Sequence, residues 1–231
     1  MAERSKRMSI DKELLVRLNV NRNEIYRYMG IKNGQADEQT IQYVESCLKE
    51  LEAAVTPRMV YREFPLKIEE DGTLDFTCFK VQSKNLRKNL EGCDRVLLFA
   101  ATLGSGADYL IRRYGKVQVS RSVMMQAASA AMIEAYCNLL NDDWKKKAAA
   151  EGYYLRPRFS PGYGDFPLEM QPLFLDVLKA EKTTGITLTD ALLMMPSKSV
   201  TAVIGMGREN TNCEPEGCEV CGKTNCEFRR S

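Results

Sequence analysis

The segment Arg156-Pro157-Arg158-Phe159-Ser160-Pro161-Gly162-Tyr163-Gly164-Asp165-Phe166-Pro167 decides how the rest of the chain is interpreted. Its three prolines fix φ and disfavour helix in the residue before each of them, and its two glycines permit turns that other residues resist. The segment therefore predicts an irregular loop instead of a helix or a sheet strand. Two arginines, three aromatic rings and an aspartate on a stiff backbone suit a loop that binds a ligand, although a proline-rich surface connection has a similar composition.

The composition is that of an ordinary globular protein of 231 residues, with 44 % apolar residues and a formal net charge of +2. We expect one large domain with a short tail. Because 33 basic residues are balanced by 31 acidic residues, we exclude nucleic acid as a partner. The N-terminus is charged and no apolar run approaches the length of a membrane span, so we expect neither secretion nor membrane insertion. A cytoplasmic location follows as an expectation.

Histidine is absent from the sequence. No histidine can therefore act as a general base, complete a catalytic triad or bind a metal ion. Chemistry that this chain supports must depend on other side chains.

Hydrophobic periodicity predicts seven helices and five extended segments. The apolar segment 96–101 is interpreted as a central strand. Segments 59–68 and 74–81 are interpreted as one antiparallel hairpin, and segments 186–195 and 199–206 as a second. Because no βαβ alternation is sustained, the expected fold class is α+β, with antiparallel hairpins and flanking helices. The helices are predicted near residues 9–20, 23–29, 37–56, 84–91, 107–114, 122–140 and 169–178, with a polar link at 142–152.

The turn Gly104-Ser105-Gly106 follows the predicted central strand. It resembles the start of a dinucleotide-binding fingerprint, but the third glycine of that pattern would fall at Tyr109. We therefore reject a Rossmann-type site. The turn is interpreted as the start of a helix that Gly115 ends.

Glu134 is the only charged residue between Arg121 and Asp142. A lone carboxylate on a largely apolar helix needs a partner, because a buried unpaired charge is costly. Two interpretations stay open: a structural ion pair with Arg156 or Arg158, and a contact with a bound ligand. The residues one turn away are small and leave room beside the carboxylate: Ala130, Ala131, Cys137 and Asn138.

A cysteine-rich tail, residues 209–231, contains the pattern C-x4-C-x2-C-x4-C. Four thiolates at this spacing can close a tetrahedral site, and their softness favours zinc or an iron–sulfur cluster over calcium or magnesium. Unligated thiols and disulfides are the alternatives, and a cytoplasmic location disfavours disulfides. The predicted metal ligands are Cys213, Cys218, Cys221 and Cys226. The other cysteines are predicted to be core residues: Cys47, Cys78, Cys93 and Cys137.

The segment Arg158-Phe159-Ser160-Pro161-Gly162-Tyr163 resembles the Arg-x-x-Pro-Gly-Tyr loop of the S-adenosylmethionine-binding reactivation domain of cobalamin-dependent methionine synthase. The resemblance covers mainly residues 94–206. It implies an activation-domain-like fold over residues 1–208, present as a stand-alone protein. Downstream segments of similar character and spacing support it: Leu173-Phe174, Gly185-Ile186, Leu193-Met194-Met195-Pro196 and Ser199-Val200-Thr201-Ala202-Val203-Ile204.

The resemblance implies a component of methionine biosynthesis that binds S-adenosylmethionine and reactivates a cobalamin-dependent methionine synthase or a related corrinoid methyltransferase. The implied reaction is reductive methylation of cob(II)alamin to methylcobalamin. The resemblance implies a protein of the methyltransferase class, but not a complete methionine synthase. The implied partners are a corrinoid-binding protein, or a methionine synthase lacking this domain, and an electron donor such as a flavodoxin or a ferredoxin. Because the chain has no histidine for the lower face of a cobalamin, the cobalamin would belong to the partner protein.

Five residues are implied as contacts with S-adenosylmethionine. Arg158 would pair with the ligand carboxylate through its planar guanidinium, and Glu134 would bind polar groups on the opposite side. The backbone around Ser160 and Gly162 would contact the adenosine part. Tyr163 would pack against the ligand or face the corrinoid. No catalytic acid or base is implied, because the sulfonium methyl group is already activated.

Two features depart from the family pattern. Gly164-Asp165-Phe166-Pro167 stands where the large enzyme has Pro-Ala-Cys-Pro, and an N-terminal ligand-binding aspartate of the family has no identified counterpart. These departures bear on the affinity and on the identity of the partner. Because the tail lies outside the resemblance, two other functions stay open. One is an electron-transfer adaptor whose tail carries a cluster, and the other is a zinc-stapled assembly module for a corrinoid protein.

Overall fold

The computed structural model describes the backbone of residues 6–9 and the complete residues 18–31 and 36–210. Within these ranges the chain forms ten strands, seven α-helices and one 3₁₀ turn, Leu168–Met170. The strands are β1 (Lys6–Ser9), β2 (Arg58–Pro65), β3 (Lys67–Ile68), β4 (Leu74–Asp75), β5 (Lys80–Val81), β6 (Cys93–Thr102), β7 (Tyr154–Leu155), β8 (Thr187–Leu188), β9 (Met194–Met195) and β10 (Ser199–Gly207). The helices are α1 (Arg22–Tyr28), α2 (Glu38–Ala54), α3 (Lys84–Asn89), α4 (Gly106–Val117), α5 (Val119–Ala150), α6 (Gln171–Leu178) and α7 (Ala180–Thr184).

The main sheet has five antiparallel strands in the order β1-β2-β6-β10-β7. Strand β6 lies at its centre because its side chains are apolar on both faces. Leu97 and Phe99 belong to one buried cluster, whereas Val96 and Leu98 belong to the other. The predicted central strand and the predicted α+β class are confirmed.

Helices α1, α2, α4 and α5 cover one face of the sheet. Helix α5 dominates this layer, and the rings of Tyr61 and Phe99 lie 5.5 and 5.0 Å from that of its Trp144. Its sequence contains neither glycine nor proline until Gly152, so nothing ends it at Leu140. The predicted polar link at 142–152 is therefore wrong over most of its length. The buried stripe continues every four residues through Ala128, Met132, Tyr136, Leu140, Trp144 and Ala148.

The opposite face is covered by α3, α6, α7, the small sheet β3-β4-β5 and part of the loop 156–167. Phe76, Phe79 and Phe174 form a chain of aromatic contacts, with ring centroids 5.0 and 6.3 Å apart. The sheet is thus buried on both sides, which explains the continuous apolar run in β6.

Several predicted helix boundaries are confirmed by their capping contacts. Asp37 accepts a hydrogen bond from the amide of Thr40 at 2.6 Å and caps α2. Ser83 accepts one from the amide of Leu86 at 3.0 Å and caps α3. The predicted helix at 23–29 corresponds to α1. A side-chain oxygen at these positions satisfies an amide that has no partner within the helix.

The predicted N-terminal helix at Ser9–Val20 is wrong at both of its ends. Ser9 belongs to strand β1, which pairs with β2, and residues 18–20 form no helix. The intervening residues 10–17 lie outside the described ranges. Although α5 has 32 residues, no helix of the described ranges combines the length and apolar character needed to cross a bilayer.

Both predicted long hairpins are wrong in their pairing. Strand β2 pairs with β1 and β6, and only the two-residue ladder of β3 with β4, in which Lys67 pairs with Asp75 and Ile68 with Leu74, remains of the first hairpin. Strand β10 pairs with β6 and β7, while β8 and β9 pair with each other. Alternating apolar residues indicate a strand and its buried face but do not indicate its neighbour. Both β2 and β10 pair with the long apolar strand β6 instead.

The glycines around α4 have packing roles. A Cβ added to Gly106 would lie 2.0 Å from the carbonyl oxygen of Ala54, so a side chain there would collide with the end of α2. Gly104 has a φ of +76° and lies against Thr56. Gly115 is inside α4, which continues to Val117, so the prediction that it ends the helix is wrong. The rejection of a Rossmann-type site agrees with the antiparallel sheet.

Candidate ligand-binding site

The ligand loop, residues 156–167, is irregular as predicted and is joined to β10 by backbone hydrogen bonds. The amide of Arg156 donates to the carbonyl of Gly205 at 2.8 Å. Phe159 and Val203 exchange two further bonds, at 2.9 and 2.8 Å. These bonds fix the first four residues of the loop against the sheet.

Arg156 is buried at the base of the ligand loop, with only 1 % of its surface exposed. Its guanidinium donates to the carbonyl oxygens of Glu91 and Glu209, each at 3.2 Å. Two glycines of β10 make space for it. A Cβ added to Gly205 would lie 2.9 Å from Cγ of Arg156, and one added to Gly207 would lie 3.1 Å from its Nη2. Arg156 therefore has a structural role in holding the loop.

The far end of the ligand loop is joined to α3 by Asp165. Its carboxylate accepts hydrogen bonds from the Ser83 hydroxyl at 2.5 Å and from the amides of Lys84 and Asn85 at 2.7 and 3.1 Å. These donors hold the pKa of Asp165 below its ordinary value, the Ser83 hydroxyl contributing most. The neighbouring Phe166 is buried. The loop is thus anchored at both ends.

Arg158 lies between these anchors and reaches α5. Its Nη2 donates to Oε2 of Glu134 at 3.1 Å and to Oδ1 of Asn138 at 3.0 Å. Glu134 and Asn138 are four residues apart, so both project from the same face of the helix. The Nη1 atom of Arg158 is buried and has no hydrogen-bond partner. One donor group of the guanidinium therefore has no partner at the cavity wall.

These residues line a cavity of about 430 Å³, which we call the α1–α5 cavity. One wall is formed by four polar side chains of α5, which are Glu134, Asn138, Asn141 and Lys145. They extend over about 16 Å of the helix at 1.5 Å per residue. One of them, Asn141, has a buried Oδ1 without a partner. The cavity is lined by Asn19, Asn21, Glu24 and Tyr28 at α1, by Ala131, Glu134, Ala135, Asn138, Asn141 and Lys145 on α5, and by Arg156, Pro157 and Arg158 of the ligand loop.

The sequence of residues 81–213 matches a protein family described as the activation domain of vitamin B12-dependent methionine synthase. The match covers 133 of the chain's 231 residues. The chain belongs to this activation-domain family. The matched region includes helix α5, the ligand loop and the neighbouring strands β6 and β10 of the main sheet.

The fold of this activation domain is also that of a solved structure. The chain is similar to a crystal structure of the MetH reactivation domain bound to AdoHcy, with a TM-score of 0.65 and 18 % sequence identity. The alignment covers 89 % of this chain and 78 % of that chain. No curated protein sequence matches the chain significantly.

The predicted contact residues of this activation domain fall into two groups. Glu134 and Arg158 lie together in the α1–α5 cavity, and Arg158 is the partner of Glu134. Ser160, Gly162 and Tyr163 are outside the cavity lining, on the exposed tip of the ligand loop. Tyr163 is 68 % exposed and rests with its ring edge-to-face on Phe159, at 5.3 Å between centroids. The ligand roles assigned to these five residues stay predictions.

Sequence interpretation missed most of the cavity wall. Asn138, Asn141 and Lys145 follow Glu134 at intervals of four, three and four residues, which is a helical polar stripe. That stripe was hidden because the helix was expected to end at Leu140. The wall supplied by α1 has no comparable signal, because its position beside α5 depends on tertiary packing.

The predicted metal ligands Cys213, Cys218, Cys221 and Cys226 lie outside the described residues, as does most of the tail domain 209–231. Within residues 18–31 and 36–210, no group of three or more acidic or cysteine side chains is arranged to bind a metal ion. Cys47 and Cys137 are buried as predicted, and burial raises the pKa of the Cys137 thiol to about 12. Cys78 and Cys93 are half-buried and pack against the buried cluster that contains Val96 and Leu98.

Proposed function

We propose that this activation domain binds S-adenosylmethionine in the α1–α5 cavity and uses it to methylate the cobalamin of a partner protein. The observation that carries this proposal is the guanidinium of Arg158 at the cavity wall. One of its nitrogens is buried and unpaired, and the carboxylate of Glu134 lies beside it. Membership of the activation-domain family supplies the cobalamin context.

The charges of the cavity fit the amino-acid end of S-adenosylmethionine. A zwitterion needs a cation for its carboxylate and an anion for its ammonium group. Arg158 would receive the carboxylate on Nη1, and Glu134 would accept from the ammonium group. Because Glu134 remains 49 % exposed while paired with Arg158, it keeps an accessible oxygen for a ligand.

The size and polarity of the cavity fit the rest of the ligand. Its volume of about 430 Å³ is within the usual range for small-molecule sites. Asn138 and Asn141 offer amide groups for ribose hydroxyls or a base, and Oδ1 of Asn141 is an acceptor without a partner. The structurally similar MetH reactivation domain is described as bound to AdoHcy, the compound that S-adenosylmethionine becomes after it loses its methyl group.

The chain itself would contribute position and exclusion of water. When a partner supplies cob(II)alamin and a low-potential donor supplies one electron, transfer of the sulfonium methyl group gives methylcobalamin and S-adenosylhomocysteine. The methyl group is already activated, so this step needs no titrating side chain. The role of the protein is to hold the sulfonium group where the corrinoid can reach it. Tyr163 is exposed on the loop tip, and we propose that it meets the partner.

The proposed partners are a separate corrinoid protein, or a methionine synthase lacking this domain, and a flavodoxin or ferredoxin as electron donor. The corrinoid must return to its catalytic partners between reactivations. We therefore expect a transient interface of modest area.

The test is a reactivation assay with the full chain under anaerobic conditions. The protein, S-adenosylmethionine and a low-potential reductant are mixed with a corrinoid protein loaded with cob(II)alamin, and the absorption spectrum is followed. Conversion to methylcobalamin is expected. Control reactions omit this protein or replace S-adenosylmethionine with S-adenosylhomocysteine, and both should leave the cob(II) spectrum unchanged.

Calorimetric titration with S-adenosylmethionine separates binding from transfer. If the ligand binds but corrinoid proteins of the same cell stay in the cob(II) form, the reactivation proposal is wrong and a binding module remains. If the ligand does not bind, both parts of the proposal fail.

A further inference from the structure

We propose that Asp165 is a positioning residue that sets the tip of the ligand loop, residues 160–164, for methyl transfer to the partner's corrinoid. The inference rests on the proposed function and adds a determinant of the transfer step. It concerns a position at which this chain departs from the Pro-Ala-Cys-Pro of the large methionine synthase.

The contacts of Asp165 are those of a helix cap supplied by a distant segment. Ser83 is already the N-cap of α3, through its bond to the amide of Leu86. Asp165 adds acceptors for the next two amides, Lys84 and Asn85, and for the Ser83 hydroxyl. One carboxylate therefore satisfies three donors at the start of a helix some 80 residues away in the sequence.

The loop tip is short and is held from both sides. On one side Phe159 is bonded to Val203 in β10, and on the other Asp165 is bonded to α3. Within the tip, the amide of Gly162 donates to the carbonyl of Phe166 at 2.8 Å. With both ends fixed, the path of the intervening residues is determined.

The approach of the tip to α3 is also sterically selective. A Cβ added to Gly164 would lie 2.5 Å from Nδ2 of Asn85, and Gly164 has a φ of +58°. Glycine is the residue that meets both conditions without strain. Gly164 and Asp165 therefore act together: glycine permits the close approach and aspartate makes the bond.

Tyr163 is the side chain whose place depends on this arrangement. It lies directly between the constrained glycines and is the most exposed aromatic ring of the described residues. Arg158 is anchored independently by the β10 bonds on its own side of Phe159. Loss of the Asp165 contacts should consequently disturb the exposed tip and leave the α1–α5 cavity in place.

The experiment compares Asp165→Ala and Asp165→Asn with the control Asp37→Ala. Asp37 makes the same kind of capping bond, but to its own helix α2. Three quantities are measured for each full-length variant: Kd for S-adenosylmethionine, the methyl-transfer rate to cob(II)alamin at saturating ligand, and amide hydrogen exchange of residues 160–166.

For Asp165→Ala we expect a transfer rate lower by about ten- to a hundredfold, the usual effect of a misplacement near 1 Å, and little change in Kd. Exchange of the tip amides should rise. Asp165→Asn keeps an oxygen for Ser83 and Asn85 but presents an amino group to the amide of Lys84, so its transfer rate should be intermediate. Asp37→Ala should lose thermal stability while keeping wild-type values in all three measurements.

The inference is overturned if Asp165→Ala transfers at the wild-type rate, or if the tip amides exchange no faster than in Asp37→Ala. It is also wrong if Kd rises while the rate at saturating ligand is unchanged, because the loop would then hold the ligand. Failure of the proposed function looks different, since the wild-type protein itself would then not transfer. Hydrogen exchange still tests the positioning of the tip in that case.

Discussion

Removing the guanidinium of Arg158 is the most direct perturbation of the α1–α5 cavity. In Arg158→Ala the ligand carboxylate loses the buried Nη1 donor that has no protein partner. A charge-assisted hydrogen bond contributes about 1.5–3 kcal/mol. At about 1.4 kcal/mol per factor of ten, the Kd for S-adenosylmethionine should rise by about 10- to 150-fold.

The same substitution should have little effect on folding. The ion pair of Arg158 and Glu134 is solvated, with side-chain exposures of 22 % and 49 %. Pairs of this kind contribute up to about 1 kcal/mol, and solvent screening lowers that further. In a protein of this size, 1 kcal/mol shifts Tm by about 2–4 °C. Arg158→Ala should therefore change the Kd for S-adenosylmethionine strongly and the Tm only slightly.

Glu134→Gln decides between the two interpretations of the carboxylate. As a ligand contact, it should weaken binding while Tm stays within a few degrees. As a purely structural partner of Arg158, it should leave affinity intact, and the change in Tm should be a few degrees at most in either case because the pair is solvated. Replacement by glutamine keeps the shape of the side chain, so the comparison isolates the charge.

Calorimetric titration gives Kd for each variant, and thermal unfolding without ligand gives Tm. Arg121→Ala is a suitable control, because Arg121 pairs with Glu50 at 3.0 Å and is not among the residues that line the cavity. It should lower Tm and leave Kd unchanged. An unchanged Kd in Arg158→Ala would remove this arginine from the binding site and refute the reasoning.

Three further outcomes are expected. Elemental analysis of purified protein should find about one zinc or iron–sulfur centre bound by the four tail cysteines, and a chelator should release it; neither metal together with four titrating thiols would contradict this. Gly106→Ala should lower stability by about 1–3 kcal/mol in denaturant titration, because its Cβ would overlap the Ala54 carbonyl, and a wild-type midpoint would be inconsistent with the packing. The Cys137 thiol, with its pKa raised to about 12 by burial, should resist thiol reagents at pH 8 until the protein is unfolded; rapid labelling of native protein would disprove its burial.

The sequence was most informative about contacts between residues that are close together in the chain. The helices that begin near residues 37 and 84 could be predicted from their neighbouring residues, and the structure has Asp37 and Ser83 as the caps of these helices. Glu134 stood out because a single charge on an apolar stretch needs a partner, and Arg158 was one of its two candidates. Each inference needed only a few neighbouring residues or a simple rule about burial.

The sequence was least informative where distant segments meet. The partner of β10 is β6, about a hundred residues earlier, and no turn signal indicates that pairing. The α1 wall of the cavity and the bonds from Asp165 to α3 likewise join segments separated by 80 residues or more. Neither strand periodicity nor loop composition indicates which distant segments come into contact.

The space around Arg156 has a consequence for how this protein can evolve. The Cγ atom of Arg156 occupies part of the volume that a side chain at position 205 would need, and its guanidinium occupies part of the volume needed at position 207. Loss of the arginine alone would open a void beside the carbonyls of Glu91 and Glu209. A side chain at 205 would also meet Cys93 Sγ and Leu90 Cδ2, each 2.7 Å from the added Cβ, and one at 207 would meet the Gly92 carbonyl oxygen at 2.8 Å. Among related sequences, positions 205 and 207 should therefore remain glycine even where the arginine changes.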